Sequence, residues 1–61
     1  MTFRQLVAEI TEMEIRDRAT LRAEVSRLEK LIENSLSKRK ITRNEHDLLY
    51  EVMAKATRWY L

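Results

Sequence analysis

The fold of this chain is decided in the stretch SLSKRKITRNE, residues 35–45. Its Thr42-Arg43-Asn44-Glu45 segment fits the S/T-x-x-E capping box that begins many helices. The three cations just before it, residues 38–40, suit the negative end of a preceding helix dipole. The stretch therefore predicts that one helix ends near residue 37 and a second one begins near residue 43.

Apolar residues on both sides of this stretch recur at steps of three and four, which is the spacing of one helix face. We predict a long helix over about residues 2–37, capped by Thr2 with Gln5, and a shorter one over about residues 43–60. The short connection makes the two helices antiparallel neighbours. The predicted fold is all-α: a single domain over residues 1–61, built as an antiparallel helical hairpin with coiled-coil-like packing.

Composition limits the means by which so short a chain becomes stable. It has 61 residues, no Gly, Pro or Cys, one His, 36% charged residues and a net charge of +2. A domain of ~60 residues buries only ~60% of its unfolded surface, so it usually needs a disulfide, a metal or a partner chain. Without Cys, association is the expected means. Glutamates interrupt every apolar run near the N-terminus, so neither a secretory leader nor a membrane span is predicted, and the expected location is cytoplasmic.

The unequal lengths of the two helices predict where a partner binds. At ~1.5 Å per residue the first helix would be ~54 Å long and the second ~27 Å. The second helix would then cover only half of the first. Five apolar residues would lack an intramolecular cover and form an exposed stripe, which marks an interaction site: Phe3, Leu6, Val7, Ile10 and Met13. Trp59 and Tyr60 are candidate aromatic anchors in the same interface.

A bend in the first helix is the alternative. If the chain turned near residues 17–20, three helices would form a bundle that covers the stripe by itself. Neither Gly nor Pro is present to cause such a kink. Glu12 with Arg16, and Glu14 with Arg18, also have the i,i+4 spacing that supports a continuous helix.

The residue inventory does not indicate an enzyme. His46 stands alone, without a second imidazole at helical spacing or a nucleophile signature, so we interpret it as a solvated or capping histidine near Tyr50. The glutamates are interpreted as solvated helix faces, because a hairpin offers no concave pocket that would separate their pKa values. No catalytic residue, cofactor or metal site is predicted.

The basic turn supports a second reading. Lys38, Arg39, Lys40 and Arg43 are clustered and suit contact with nucleic-acid phosphates. The alternative function is therefore a homodimeric four-helix-bundle regulator, of plasmid or phage type, that binds RNA or DNA through this turn. The low net charge and the alternating charge signs of the first helix disfavour nucleic acid as a partner.

Two segments carry a family resemblance: LRAEVSRLEK, residues 21–30, and DLLYEVMAKA, residues 47–56. Together with the length and the hairpin layout, they resemble the YscE-type proteins of type III secretion systems. The resemblance implies a cytoplasmic helical hairpin that forms a heterodimer with a tetratricopeptide-like chaperone. The two proteins together would hold the needle subunit before export, a role connected with virulence. The resemblance also implies that the first helix bears much of the chaperone contact.

Overall fold

The computed structural model describes residues 1–58, and these contain three α-helices and no strand. Helix α1 covers Phe3–Thr11, α2 covers Arg18–Ser37 and α3 covers Arg43–Thr57. The all-helical prediction is confirmed. Trp59 and Tyr60, which were predicted to end the last helix and to anchor a partner, lie outside the described residues.

Both predicted capping boxes are present. The Thr2 side chain accepts a hydrogen bond from the backbone N–H of Gln5, and the Gln5 side chain accepts one from the backbone N–H of Thr2. Thr42 and Glu45 make the same reciprocal pair at the start of α3. Each pair satisfies two backbone donors that a helix leaves free at its first turn. The starts of α1 and α3 are therefore set by local chemistry.

The prediction of one helix over residues 2–37 is wrong. The helix is interrupted at residues 12–17, between α1 and α2. Asp17 has an extended backbone and caps α2, because its Oδ1 accepts hydrogen bonds from the backbone N–H and the hydroxyl of Thr20, both at 2.8 Å. The i,i+4 pairs expected across this segment, Glu12 with Arg16 and Glu14 with Arg18, do not form ion pairs in the described chain.

Burial explains why the interruption is favourable. A helical hydrogen bond is worth ~1 kcal/mol net, and residues 12–17 can still bond to water. Complete burial of a large apolar side chain is worth ~1.5–3 kcal/mol. Leu6 is 0% exposed and Ile10 is 2% exposed, because α1 packs against both α2 and α3. The gain from covering the stripe therefore exceeds the loss of a few exposed helical bonds.

All three helices contribute to one core. Its buried apolar members come from α1, from α2, from the connection before α3 and from α3 itself: Leu6, Ile10, Leu28, Ile32, Ile41, Leu49 and Met53. Phe3, Val7 and Met13 pack against it and stay partly exposed. The expectation that these five stripe residues have no cover within the chain is therefore wrong, and the bundle described as the alternative is the observed arrangement.

The end of α2 has an unusual residue in a common motif. The N–H of Lys40 donates to the carbonyl of Ser35 at 2.8 Å, and the N–H of Arg39 donates to the carbonyl of Leu36 at 3.0 Å. This pair of bonds is the Schellman motif, whose middle residue is left-handed and usually Gly. Here Arg39 occupies that position with φ of 58°. A residue with a Cβ pays ~1–2 kcal/mol for this conformation.

We expect Arg39→Gly to stabilise the protein by about 1 kcal/mol, because Gly adopts positive φ without the steric cost. The measurement is the free energy of unfolding from urea denaturation followed by circular dichroism. Lys38→Gly is the matched control, since Lys38 has φ of −87° and gains nothing from Gly. A stability gain from both variants, or from neither, would contradict the explanation.

Candidate functional site

The predicted partner-binding stripe lies on α1, and the structure divides its members into two groups. Leu6 and Ile10 point into the core, whereas Phe3, Val7 and Met13 are only partly buried. Because Leu6 and Ile10 are already covered, they are accessible to another molecule only if α1 leaves its place. The part of the stripe that a partner can reach in this conformation is Phe3, Val7 and Met13. The role of the stripe in binding stays a prediction.

An ion pair defines which side of α1 faces α2. Arg27 Nη2 of α2 lies 3.5 Å from Glu9 Oε2 of α1 and 3.1 Å from Glu24 Oε2 on its own helix. These side chains are substantially exposed, so the pair contributes little to stability. The pair shows, however, that Glu9 lies on the side of α1 that faces α2. Val7 is two residues from Glu9, about 200° around the helix at about 100° per residue, and therefore lies on the side of α1 away from α2.

The corresponding surface of α3 carries an exposed leucine. Leu48 is 45% exposed, and Val52, one turn later, is partly buried. Tyr50 marks the side of α3 that faces α2, because its hydroxyl bonds to Glu33. Val52 is two residues from Tyr50 and so lies on the opposite side, toward α1.

Helical spacing therefore places these two faces beside the contact between α1 and α3. We call this region the α1–α3 surface and define it by four residues: Phe3, Val7, Leu48 and Val52. All four are apolar and none is completely buried. Periodicity alone did not predict this surface, because the position of α1 on the other helices was unknown.

A polar cluster joins α2 to α3 on the other side of the bundle. His46 Nε2 lies 2.7 Å from Glu33 Oε1, and His46 Nδ1 lies 3.0 Å from Asp47 Oδ1. The Tyr50 hydroxyl donates to the same Glu33 oxygen at 2.9 Å, and the rings of Tyr50 and His46 are 4.9 Å apart. His46 is only 9% exposed, so the prediction of a solvated histidine is wrong, although the predicted proximity of Tyr50 is confirmed.

The geometry of this cluster favours a protonated imidazole. Only the imidazolium has two N–H donors, and here both ring nitrogens face carboxylate oxygens. The hydrogen bond to Glu33, then the one to Asp47, raise the pKa of His46, against burial and the charge of Arg43, which lower it. The bonds from His46 and then from Tyr50 lower the pKa of Glu33. Burial, followed by the bond to Glu33, raises the pKa of Tyr50 to about 12.

The basic turn between α2 and α3 is open to solvent. Lys38, Arg39 and Lys40 are exposed, and none of the three takes part in an ion pair within residues 1–58. Arg43 lies 3.7 Å from Asp47, in a pair whose side chains are 75% and 64% exposed. Three adjacent positive charges therefore have no carboxylate partner among the described residues.

The pKa shifts in the polar cluster make stability depend on pH. Because folding raises the pKa of His46 above 6.5, its stabilising effect is complete below about pH 6.5 and disappears as the pH rises through the raised value. Because folding lowers the pKa of Glu33 below 4.5, its effect is complete above about pH 4.5 and disappears as the pH falls through the lowered value. We expect the free energy of unfolding to be highest between these two limits.

The imidazole signal of His46 in an NMR titration measures the first shift directly, because the chain has one histidine. We expect Glu33→Gln to lower the pKa of His46 and to weaken the loss of stability above pH 6.5. The control is Glu29→Gln, which removes a negative charge from the same helix without a bond to the imidazole. A His46 pKa at or below 6.5 in the unmodified protein would exclude this account.

Within residues 1–58, no group of three or more His, Asp or Glu side chains is placed to hold a metal ion. None of the described helices combines the length and the apolar character that a membrane crossing requires. In the comparisons with known proteins, the sequence matched no family model, no curated protein and no solved structure.

Proposed function

We propose that this chain is a small, non-enzymatic interaction module that binds a helical protein partner on the α1–α3 surface. One observation carries the proposal: the apolar residues of this surface are only partly covered by their own chain, and Leu48 is 45% exposed. A partner that covers them would gain the free energy of apolar burial without opening the core. The predicted aromatic anchors Trp59 and Tyr60 stay part of this proposal.

The finer proposal names the partner class. The segments that resemble YscE-type proteins, residues 21–30 and 47–56, fall within α2 and α3. We infer that α2 and α3 form the antiparallel hairpin of that family, with coiled-coil-like packing, because the connection is short and Glu33 bonds to residues in the first two turns of α3. The partner would then be a tetratricopeptide-like chaperone. The joint cargo would be a type III secretion needle subunit in the cytoplasm.

Val7→Asp is the variant that tests the binding surface. Val7 is partly buried at the edge of α1, so a charge there disturbs an interface more than the core. Ala8→Asp is the matched control, because it adds the same charge to an exposed position of the same helix. Leu6→Asp does not discriminate, since it would bury an unpaired charge in the core and unfold the protein.

The measurement has two stages. Capture from native lysate with mass spectrometry identifies the partner, and titration of the purified partner then gives the affinity of each variant. We expect Val7→Asp to weaken binding about ten-fold or more, which is ~1.4 kcal/mol, and Ala8→Asp to leave it unchanged. Equal affinity of the two variants would contradict the proposal that the partner binds on the α1–α3 surface. A partner other than a helical-repeat chaperone would overturn only the finer proposal.

A second function, nucleic-acid binding by a homodimer, is favoured by the basic turn. The left-handed Arg39 holds a position where Gly would be more stable, and it lies between two exposed lysines that form no ion pair within residues 1–58. A strained residue that is kept at a stability cost is a reason to suspect function. The charged turn is the right chemistry for phosphate contacts, whose strength falls steeply with salt.

Fluorescence anisotropy with labelled RNA and duplex DNA tests this second function. If the turn binds phosphates, replacing residues 38–40 by Ala should lower the affinity and flatten its dependence on salt. The matched control removes the same charge from three exposed positions elsewhere: Arg4, Arg22 and Lys30. No binding at low salt, or equal loss in both triple variants, would remove the specific role of the turn.

A further inference from the structure

The connection between α1 and α2 has the composition of a helix and the conformation of a loop. Residues 12–17 contain neither Gly nor Pro, and their Glu and Arg residues have the spacing of helical ion pairs. Within the connection itself, the bend is fixed by the cap in which Asp17 Oδ1 accepts two hydrogen bonds from Thr20. A cap of this kind is worth ~1 kcal/mol, so the bent and open forms of the connection are close in free energy.

Helix α1 is held in place by its apolar face. It has nine residues, and an isolated helix of that length is marginal in water. Its contact with α2 includes one exposed ion pair, between Glu9 and Arg27, which adds little. When the connection opens, α1 must therefore find a groove that accepts Leu6 and Ile10. The groove that α1 leaves, on its own α2 and α3, is uncovered at the same moment.

We propose that two copies of this chain exchange α1, so that the α1 of each copy fills the groove on α2 and α3 of the other. The α1 of a second copy fits this groove because the same helix fills the same groove within one copy. There its Leu6 and Ile10 side chains pack in one core with three residues of α2 and α3: Leu28, Ile32 and Leu49. Such an exchange remakes the native contacts and adds only the cost of association, which makes it a low-cost route to dimers.

The dimensions permit the exchange. Six connecting residues reach ~20 Å when extended, at ~3.3–3.6 Å each. The Cα atoms extend over 33 × 16 × 15 Å, so this reach exceeds the two shorter dimensions of the backbone. An opened α1 can thus contact a neighbouring copy.

Sedimentation velocity of the purified chain, from about 10 μM to about 1 mM, tests the exchange. The unmodified protein should convert from monomer to dimer as the concentration rises. Asp17→Ala removes the cap that fixes the bend. Because each dimer contains two connections, we expect the association constant to rise about ten-fold or more. Thr42→Ala is the matched control, since it removes a similar cap far from the connection and should not favour the dimer.

A mixture of isotopically labelled and unlabelled chains distinguishes exchange from simple pairing. In an exchanged dimer, contacts between the Leu6 or Ile10 methyl groups and those of Leu28 or Leu49 are intermolecular. A dimer in which these contacts stay within one chain would overturn the proposal. So would a helical protein that is monomeric at about 1 mM, whether or not Asp17→Ala folds. Because these experiments use the chain alone, their failure is distinct from failure to bind another protein.

Discussion

The structure depends on the burial of Leu6 and Ile10 against α2 and α3. Without α1, those two helices would expose Leu28, Ile32 and Leu49 along one groove, and α1 alone would be too short to stay helical. Neither α1 nor the pair of α2 and α3 is expected to be stable alone, so the contact between them stabilises both. For a domain of this size, whose net stability is only a few kcal/mol, two buried side chains at ~1.5–3 kcal/mol each are a large share.

This constraint also shapes the surface. Folding α1 back covers most of the apolar stripe and leaves the four residues of the α1–α3 surface, with the basic turn and the cluster around His46 at other positions on the bundle. The cluster joins α2 to α3 through hydrogen bonds of 2.7 and 2.9 Å to one oxygen of Glu33. It therefore strengthens the pair of helices against which α1 packs. The proposed interactions through α1, with another protein or with a second copy, would involve the shortest of the three helices, which supplies two of the seven buried core residues.

Local features of the fold could be predicted from the sequence, whereas the position of α1 and the residues of the candidate site could not. Helix type, the starts of α1 and α3, and the turn before Thr42 all follow from residues within a few positions of one another. The break before Asp17 has a local signal, an Asp followed three residues later by a hydroxyl that it can bind. That cap competes with the i,i+4 spacing of Glu and Arg residues in the same segment, which favours a continuous helix. The cap and the helical pairs contribute similar free energies. Burial of Leu6, far along the chain from its core partners, decides between them.

By itself, the sequence determined that this protein is helical, where its capping boxes lie and that its turn is basic, because each of these depends on short-range hydrogen bonds and spacing. Only the tertiary structure decided that α1 folds back onto α2 and α3 and that Leu48 stays exposed. It also decided that Glu33 of α2 bonds to both His46 and Tyr50. Those outcomes require contacts between helices, and the free energy of such contacts depends on how three faces meet in space.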